Sequence, residues 1–127
     1  MNNLIKIQLR YGDLDALGHV NNAVFLTYFE LGRVELLKSV QNTFEPTNAG
    51  IVIAHAEIDY RKSILFHDDP VLETRVEKIG RKSITFASIL RDRNGITCAE
   101  GKVVAVYVDQ SGTPLAVPDS LRKSLLS

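Results

Sequence analysis

The sequence predicts an α+β protein in which a five-stranded antiparallel sheet curls around one long central helix, and three observations predict it. A single alternating segment opens the chain. The longest apolar helical pattern follows, from about Asn22 to Ser39. Four further alternating segments come after it, joined mostly by short turns, which makes their strands antiparallel neighbours. One helix covers only one face of such a sheet.

Each element has its own signal. From Leu4 to Tyr11, Ile5, Ile7, Leu9 and Tyr11 share one face while Lys6, Gln8 and Arg10 share the other, giving a strand with one wet face. Gly12 to Val20 is a polar loop. On the helix, Val24, Phe25, Tyr28, Phe29, Leu31, Val34, Leu36 and Leu37 cover well over half the circumference, so burial nearly all round is expected. Gln41 to Gly50 reads as a connecting loop, and Ile51 to Tyr60 as the second strand, with Ala54 and Ala56 small enough to admit a close neighbour. A loop from about Ser63 to Pro70 leads to strands at Val71 to Ile79 and Ser83 to Arg91, turned by Gly80-Arg81-Lys82. Arg93-Asn94-Gly95 is a hairpin signal opening a fifth strand, Ile96 to Asp109, in which Gly101 marks a bulge or bend. After a turn at Gln110 to Pro114, Asp119 or Ser120 caps a short C-terminal helix carrying Leu121 and Leu125. No repeat or linker interrupts the order, so residues 1–127 are expected to form one domain.

Composition narrows the function classes. Fifteen basic and fifteen acidic side chains cancel, so no global field recruits nucleic acid or an anionic membrane. MNNLIKIQLR lacks the apolar run of a signal peptide and no stretch is long enough to span a bilayer, so a cytoplasmic location is expected. The lone Cys98 makes no internal disulfide, and with three scattered histidines it makes no zinc site of known spacing, so neither metal nor cofactor is expected. Ile51, Ile53, Val104, Val106 and Val108 are too apolar for plain solvent exposure, which points to self-association.

Chemistry concentrates where the loop enters the helix. Asp13, Asp15, Gly18, His19, Asn21 and Asn22 crowd this junction. An Asn there caps the helix, and the N–H groups beyond it point outward, towards any developing negative charge. Asp15 is placed to act beside that spot as nucleophile or base, but Asp13 and Asp15 read equally well as turn residues bonding their own backbone. Phe25, Tyr28 and Phe29 read most simply as core, and Glu30 as an exposed partner of Arg33. Two compact basic clusters, Arg81-Lys82-Ser83 and Arg61-Lys62-Ser63, are the local patches that could grip an anionic partner, the first being preferred. Arg91, Asp92 and Arg93 read as surface, His55 as an interface residue, His67 as a loop residue, and Cys98 as a small apolar filler.

Across DLDALGHVNNAVFLTYFE the chain resembles the hotdog-fold acyl-CoA thioesterases of the 4-hydroxybenzoyl-CoA thioesterase-like group. It is similar there also to plant acyl-acyl-carrier-protein thioesterases, which carry an Asp followed four residues later by His-Val-Asn-Asn. The resemblance implies a single hotdog domain, with strand, central helix and four strands in that order. It puts Asp15 on the family's catalytic carboxylate, Gly18-His19-Val20-Asn21-Asn22 on the loop into the helix, and Tyr28 and Glu30 on its aromatic and acidic helix positions, Glu30 being the alternative carboxylate because some hotdog enzymes carry theirs on the central helix. Leu17 replaces an Asn used in the plant enzymes, and Ser63 stands where many relatives have Pro.

The implied activity is hydrolysis of an acyl-CoA or acyl-carrier-protein thioester, with Asp15, His19 and Asn22 catalytic. Gly18, Asn21, Tyr28, Arg81, Lys82 and Ser83 are the implied substrate contacts. The implied assembly is a homodimer or homotetramer sharing its sites across an interface. Two other readings compete: a hotdog hydratase or dehydratase, whose Asp and His are usually five apart rather than four, and a non-catalytic acyl-thioester-binding module.

Overall fold

The computed structural model describes residues 1–40 and 49–126. Its elements run β1 (Asn2–Lys6), a 3-10 turn (Tyr11–Asp13), α1 (Val24–Val40), β2 (Ala49–Tyr60), β3 (Val71–Ile79), β4 (Ser83–Arg91), β5 (Thr97–Asp109) and α2 (Asp119–Leu126). The five strands form one antiparallel sheet in the order β1-β3-β4-β5-β2. Most of the loop expected at Gln41 to Gly50 lies outside the described residues, and β2 has already begun at Ala49.

Strand β1 is earlier and shorter than the alternation suggests, for a reason lying in its partner. Its ladder with β3 runs from Asn2↔Arg75 to Lys6↔Val71, and Ile7 then donates to the carbonyl of Pro70 at 3.0 Å. Pro70 has no N–H to return, so pairing stops there. Ile7 and Leu9 still point inward, but the 3-10 turn throws Tyr11 outward, 80% exposed, where it stacks on Phe66 with ring centroids 4.7 Å apart.

Helix α1 lies against the sheet and divides the core in two. Phe25, Tyr28 and Phe29 pack with Ile7, Val20, Ile64, Leu72 and Cys98. Leu36 and Leu37 pack with Ile84, Phe86 and the α2 residues Leu121 and Leu125. Closest approach is at Gly32, where a side chain would strike Thr74 and Leu72 of β3. The helix is not buried all round as expected, since Leu26 and Leu31 are exposed in the single chain.

Gly101 is likewise not a bulge. It pairs in register with both Ser88 and Ile58, and its missing side chain makes room for the Phe29 ring and the Glu57 carbonyl. The bulge in β2 falls between Ile53 and His55, putting Ile53 and Ala56 on the helix side. Asp92, expected on the surface, is buried: its Oδ1 accepts from Asn94 and Ile96 to form the β4–β5 turn, and Lys62 pairs with Oδ2. Cys98 is buried as expected. Among the described residues no helix is long and apolar enough to cross a membrane, and no cluster of His, Cys, Asp and Glu could hold a metal.

Candidate active site

The polar loop before α1 is a tight reversal held largely by its own backbone. Asp15 N–H donates to the His19 carbonyl at 2.7 Å and Gly18 N–H to the Asp15 carbonyl at 3.1 Å. The chain turns back through Gly18 at φ 79°, in the left-handed region that glycine adopts at little cost. Within the loop, Asp15 Oδ1 accepts from the N–H groups of Leu17 (2.9 Å) and His19 (3.1 Å). One carboxylate oxygen is thereby fixed, and Oδ2 has no donor among the described residues.

The helix entry leaves one amide pointing the other way. Asn21 Oδ1 accepts from Ala23 N–H at 3.0 Å, and the Asn21 carbonyl accepts from Val24 N–H at 2.9 Å. A trans peptide aims its C=O and N–H in opposite directions. With the Asn21 carbonyl turned along the helix, the N–H of Asn22 in the same peptide faces outward, and it donates to no described residue. This is the outward amide expected at a helix start. Asn21 is the side-chain cap, so α1 proper begins at Val24 rather than Asn22.

Asp15, His19 and Asn22 line one cleft together with Val20 and Phe25. Its far wall is Tyr60, the last residue of β2, and the three residues that follow it, Arg61, Lys62 and Ser63. The Tyr60 hydroxyl donates to the Asn22 carbonyl at 2.7 Å, and its ring meets Phe25 edge-on with centroids 5.2 Å apart. Both cations are already committed. Arg61 bonds Glu100 at 2.7 Å, which raises its pKa further, and Lys62 is raised by its hydrogen bond to Asp92. The same bond from Lys62 leads the influences that hold the Asp92 carboxyl below its ordinary value.

Below the cleft sits a second carboxylate. Asp13 is 2% exposed and accepts from the Tyr28 hydroxyl at 2.8 Å and from the Arg10 guanidinium at 2.9 Å. Burial raises its carboxyl, but these bonds outweigh burial and leave it below the ordinary value. Burial, followed by the bond to Asp13, pushes the Tyr28 phenol up. Asp13 is structural, as its reading as a turn residue anticipates. Tyr28 does not line the Asp15 cleft, so the substrate contact implied for it is not offered there; its hydroxyl serves the Asp13 bond instead.

The structure thus brings together Asp15, His19 and Asn22, with Gly18 and Asn21 shaping the loop and the cap. Arg81, Lys82 and Ser83 stand elsewhere. Ser83 pairs with Val106, whereas the cleft lies at the Tyr60↔Ala99 end, roughly 20 Å along β5 at strand rise. Within one chain the cluster in the cleft is Arg61-Lys62-Ser63. Tyr60 was missed as a cleft residue because local periodicity makes it only the last residue of a strand.

A family model for the thioesterase-like superfamily matches residues 9–125, which take in the whole cleft. The chain belongs to that superfamily. It is a thioester hydrolase with the hotdog fold. Among solved structures, a thioesterase from Thermus thermophilus, complexed with coenzyme A and Zn, is 33% identical with a TM-score of 0.86, over 96% of this chain and 90% of that one. The acyl-CoA thioesterase YbgC of Haemophilus influenzae is 28% identical over 91% of this thioesterase and 88% of its own length. The chloroplastic acyl-acyl carrier protein thioesterase ATL3 of Arabidopsis thaliana is 29% identical over 96% of this chain, which spans 66% of the plant protein.

Proposed function

We propose that this thioesterase hydrolyses acyl-CoA, with the Asn22 N–H polarising the thioester carbonyl while Asp15 delivers the oxygen. The observation that carries the reading is the meeting of the Asp15 carboxylate and the outward Asn22 amide on one cleft. As nucleophile, Asp15 attacks the carbonyl carbon, the C–S bond breaks, and a water then cleaves the mixed anhydride. As general base, it takes a proton from a water that attacks directly. In both routes the tetrahedral oxyanion sits against Asn22 N–H, and a single such donor contributes roughly 3 kcal/mol. The thiol leaves as thiolate. His19 acts through its backbone N–H, which holds Asp15 Oδ1.

We further infer a homodimer built by antiparallel pairing of β2 with its symmetry mate. β2 is an edge strand twelve residues long, and Val52 and Ile53 on it are 49% and 46% exposed. An apolar edge strand of that length is a pairing surface. Antiparallel pairing sets the Tyr60 end of one β2 beside the Ala49 end of the other. The second chain's Arg81-Lys82-Ser83 turn then stands about 14 Å away, three strand spacings across the joined sheet. This is within reach of the pantetheine arm of CoA, so the preferred basic cluster serves the site in trans.

The experiment is thiol release from a panel of acyl-CoAs, followed with a thiol-reactive dye. Free CoA released in step with enzyme concentration is expected. A change at an acyl double bond without thiol release would assign the site to hydration, and binding without either would make the chain an acyl-thioester-binding module.

A further inference from the structure

We propose that Tyr60 is a positioning residue for hydrolysis, its hydroxyl holding the Asn22–Ala23 peptide so that the neighbouring Asn22 N–H keeps its aim into the cleft. The proposal rests on the reading of Asn22 given above. The Asn22–Ala23 peptide is gripped at both ends by side chains: Tyr60 donates to its carbonyl at 2.7 Å, and Asn21 Oδ1 accepts from its N–H at 3.0 Å. The helix itself holds that carbonyl only loosely, through Phe25 N–H at 3.4 Å.

The reach of Tyr60 is fixed from behind. It is the last residue of β2, paired with Ala99, and the next two amides, of Arg61 and Lys62, both donate to the Cys98 carbonyl at 2.8 and 3.0 Å. Edge contact with buried Phe25 sets the plane of its ring. Yet Tyr60 is 45% exposed in the single chain, so its hydroxyl is not at this position to satisfy the chain's own buried core. It spans 38 residues of sequence to bond the Asn22 carbonyl at the helix entry, on the cleft wall. Rotation of the Asn22–Ala23 peptide is coupled through Asn22 to the peptide before it, whose N–H is the oxyanion donor. Small losses of alignment at such a donor cost much of its effect.

The test is Tyr60→Phe in the full chain, which keeps the ring and removes only the hydroxyl, assayed on an acyl-CoA that the unaltered protein hydrolyses. Expected is a kcat lower by about tenfold, KM within about twofold, and an unchanged melting temperature. Because Asn21 grips the other end of the same peptide, Tyr60→Phe with Asn21→Ala should lose more than the product of the two single losses. A Tyr60→Phe kcat equal to that of the unaltered protein, or a loss confined to KM or to melting temperature, would overturn the proposal. Asn22→Pro, run alongside, separates the two levels: an active Asn22→Pro overturns the reading of the Asn22 N–H as oxyanion donor and this proposal with it. A dead but folded Asn22→Pro beside a fully active Tyr60→Phe overturns this proposal alone.

Discussion

The Tyr28 hydroxyl and the Asp13 carboxylate form a buried hydrogen bond of 2.8 Å, tying the N-terminal part of α1 to the loop that carries Asp15. Asp13 also accepts the Asn21 N–H through its backbone carbonyl at 2.8 Å, so one residue fixes both the loop and the helix entry. Tyr28→Phe should cost about 1–3 kcal/mol in urea unfolding at neutral pH, because a buried carboxylate loses a donor. The pH dependence has a defined sign. The folded Asp13 carboxyl lies below its ordinary 3.8, so its contribution is complete above the ordinary range and disappears as pH falls through the lowered folded value. Asp13→Asn should therefore flatten the acid limb of stability against pH, and an unaltered limb would contradict this role.

Gly32→Ala should destabilise by about 1–3 kcal/mol, read as a lowered melting temperature. The added carbon meets the side chains of Thr74 and Leu72 in β3, both fully buried, so helix or strand must shift to admit it. A wild-type melting temperature would mean that the helix crosses the sheet elsewhere.

Asn22→Pro removes the outward N–H with little harm to the fold. That amide makes no hydrogen bond among the described residues, and Pro is tolerated just at a helix start. A fall in kcat of roughly 100- to 1000-fold, with the chain still folded by circular dichroism, is the expected result. Retained turnover would move the oxyanion donor elsewhere.

Association and activity should fail together. Val52→Lys places a charge on the β2 edge, and sedimentation should show a smaller species with little thiol release. A fully active monomer would contradict a shared site.

Much of the frame was legible in sequence because it rests on local pattern. β3 and β4 fall at Val71–Ile79 and Ser83–Arg91 as predicted, since alternation defines them and Gly80 and Asn94-Gly95 end them. What escaped depends on partners distant in sequence. β1 stops at Lys6 because of Pro70, Asp92 is buried because Lys62 reaches it, and Gly101 is small because Phe29 lies over it. The same holds at the cleft. Asp15, His19 and Asn22 are neighbours in the chain and were found together, whereas Tyr60 joins them only through the folded sheet.

Thiol release by Asp15→Asn, compared with the unaltered protein on the same acyl-CoA, tests the central claim most directly. The change keeps the Oδ1 acceptor for Leu17 and His19 N–H and removes the charge, so the loop should hold while kcat falls at least about 100-fold with substrate binding retained. Turnover within a few-fold of the unaltered rate would contradict it, and the carboxylate that drives hydrolysis would have to be sought elsewhere.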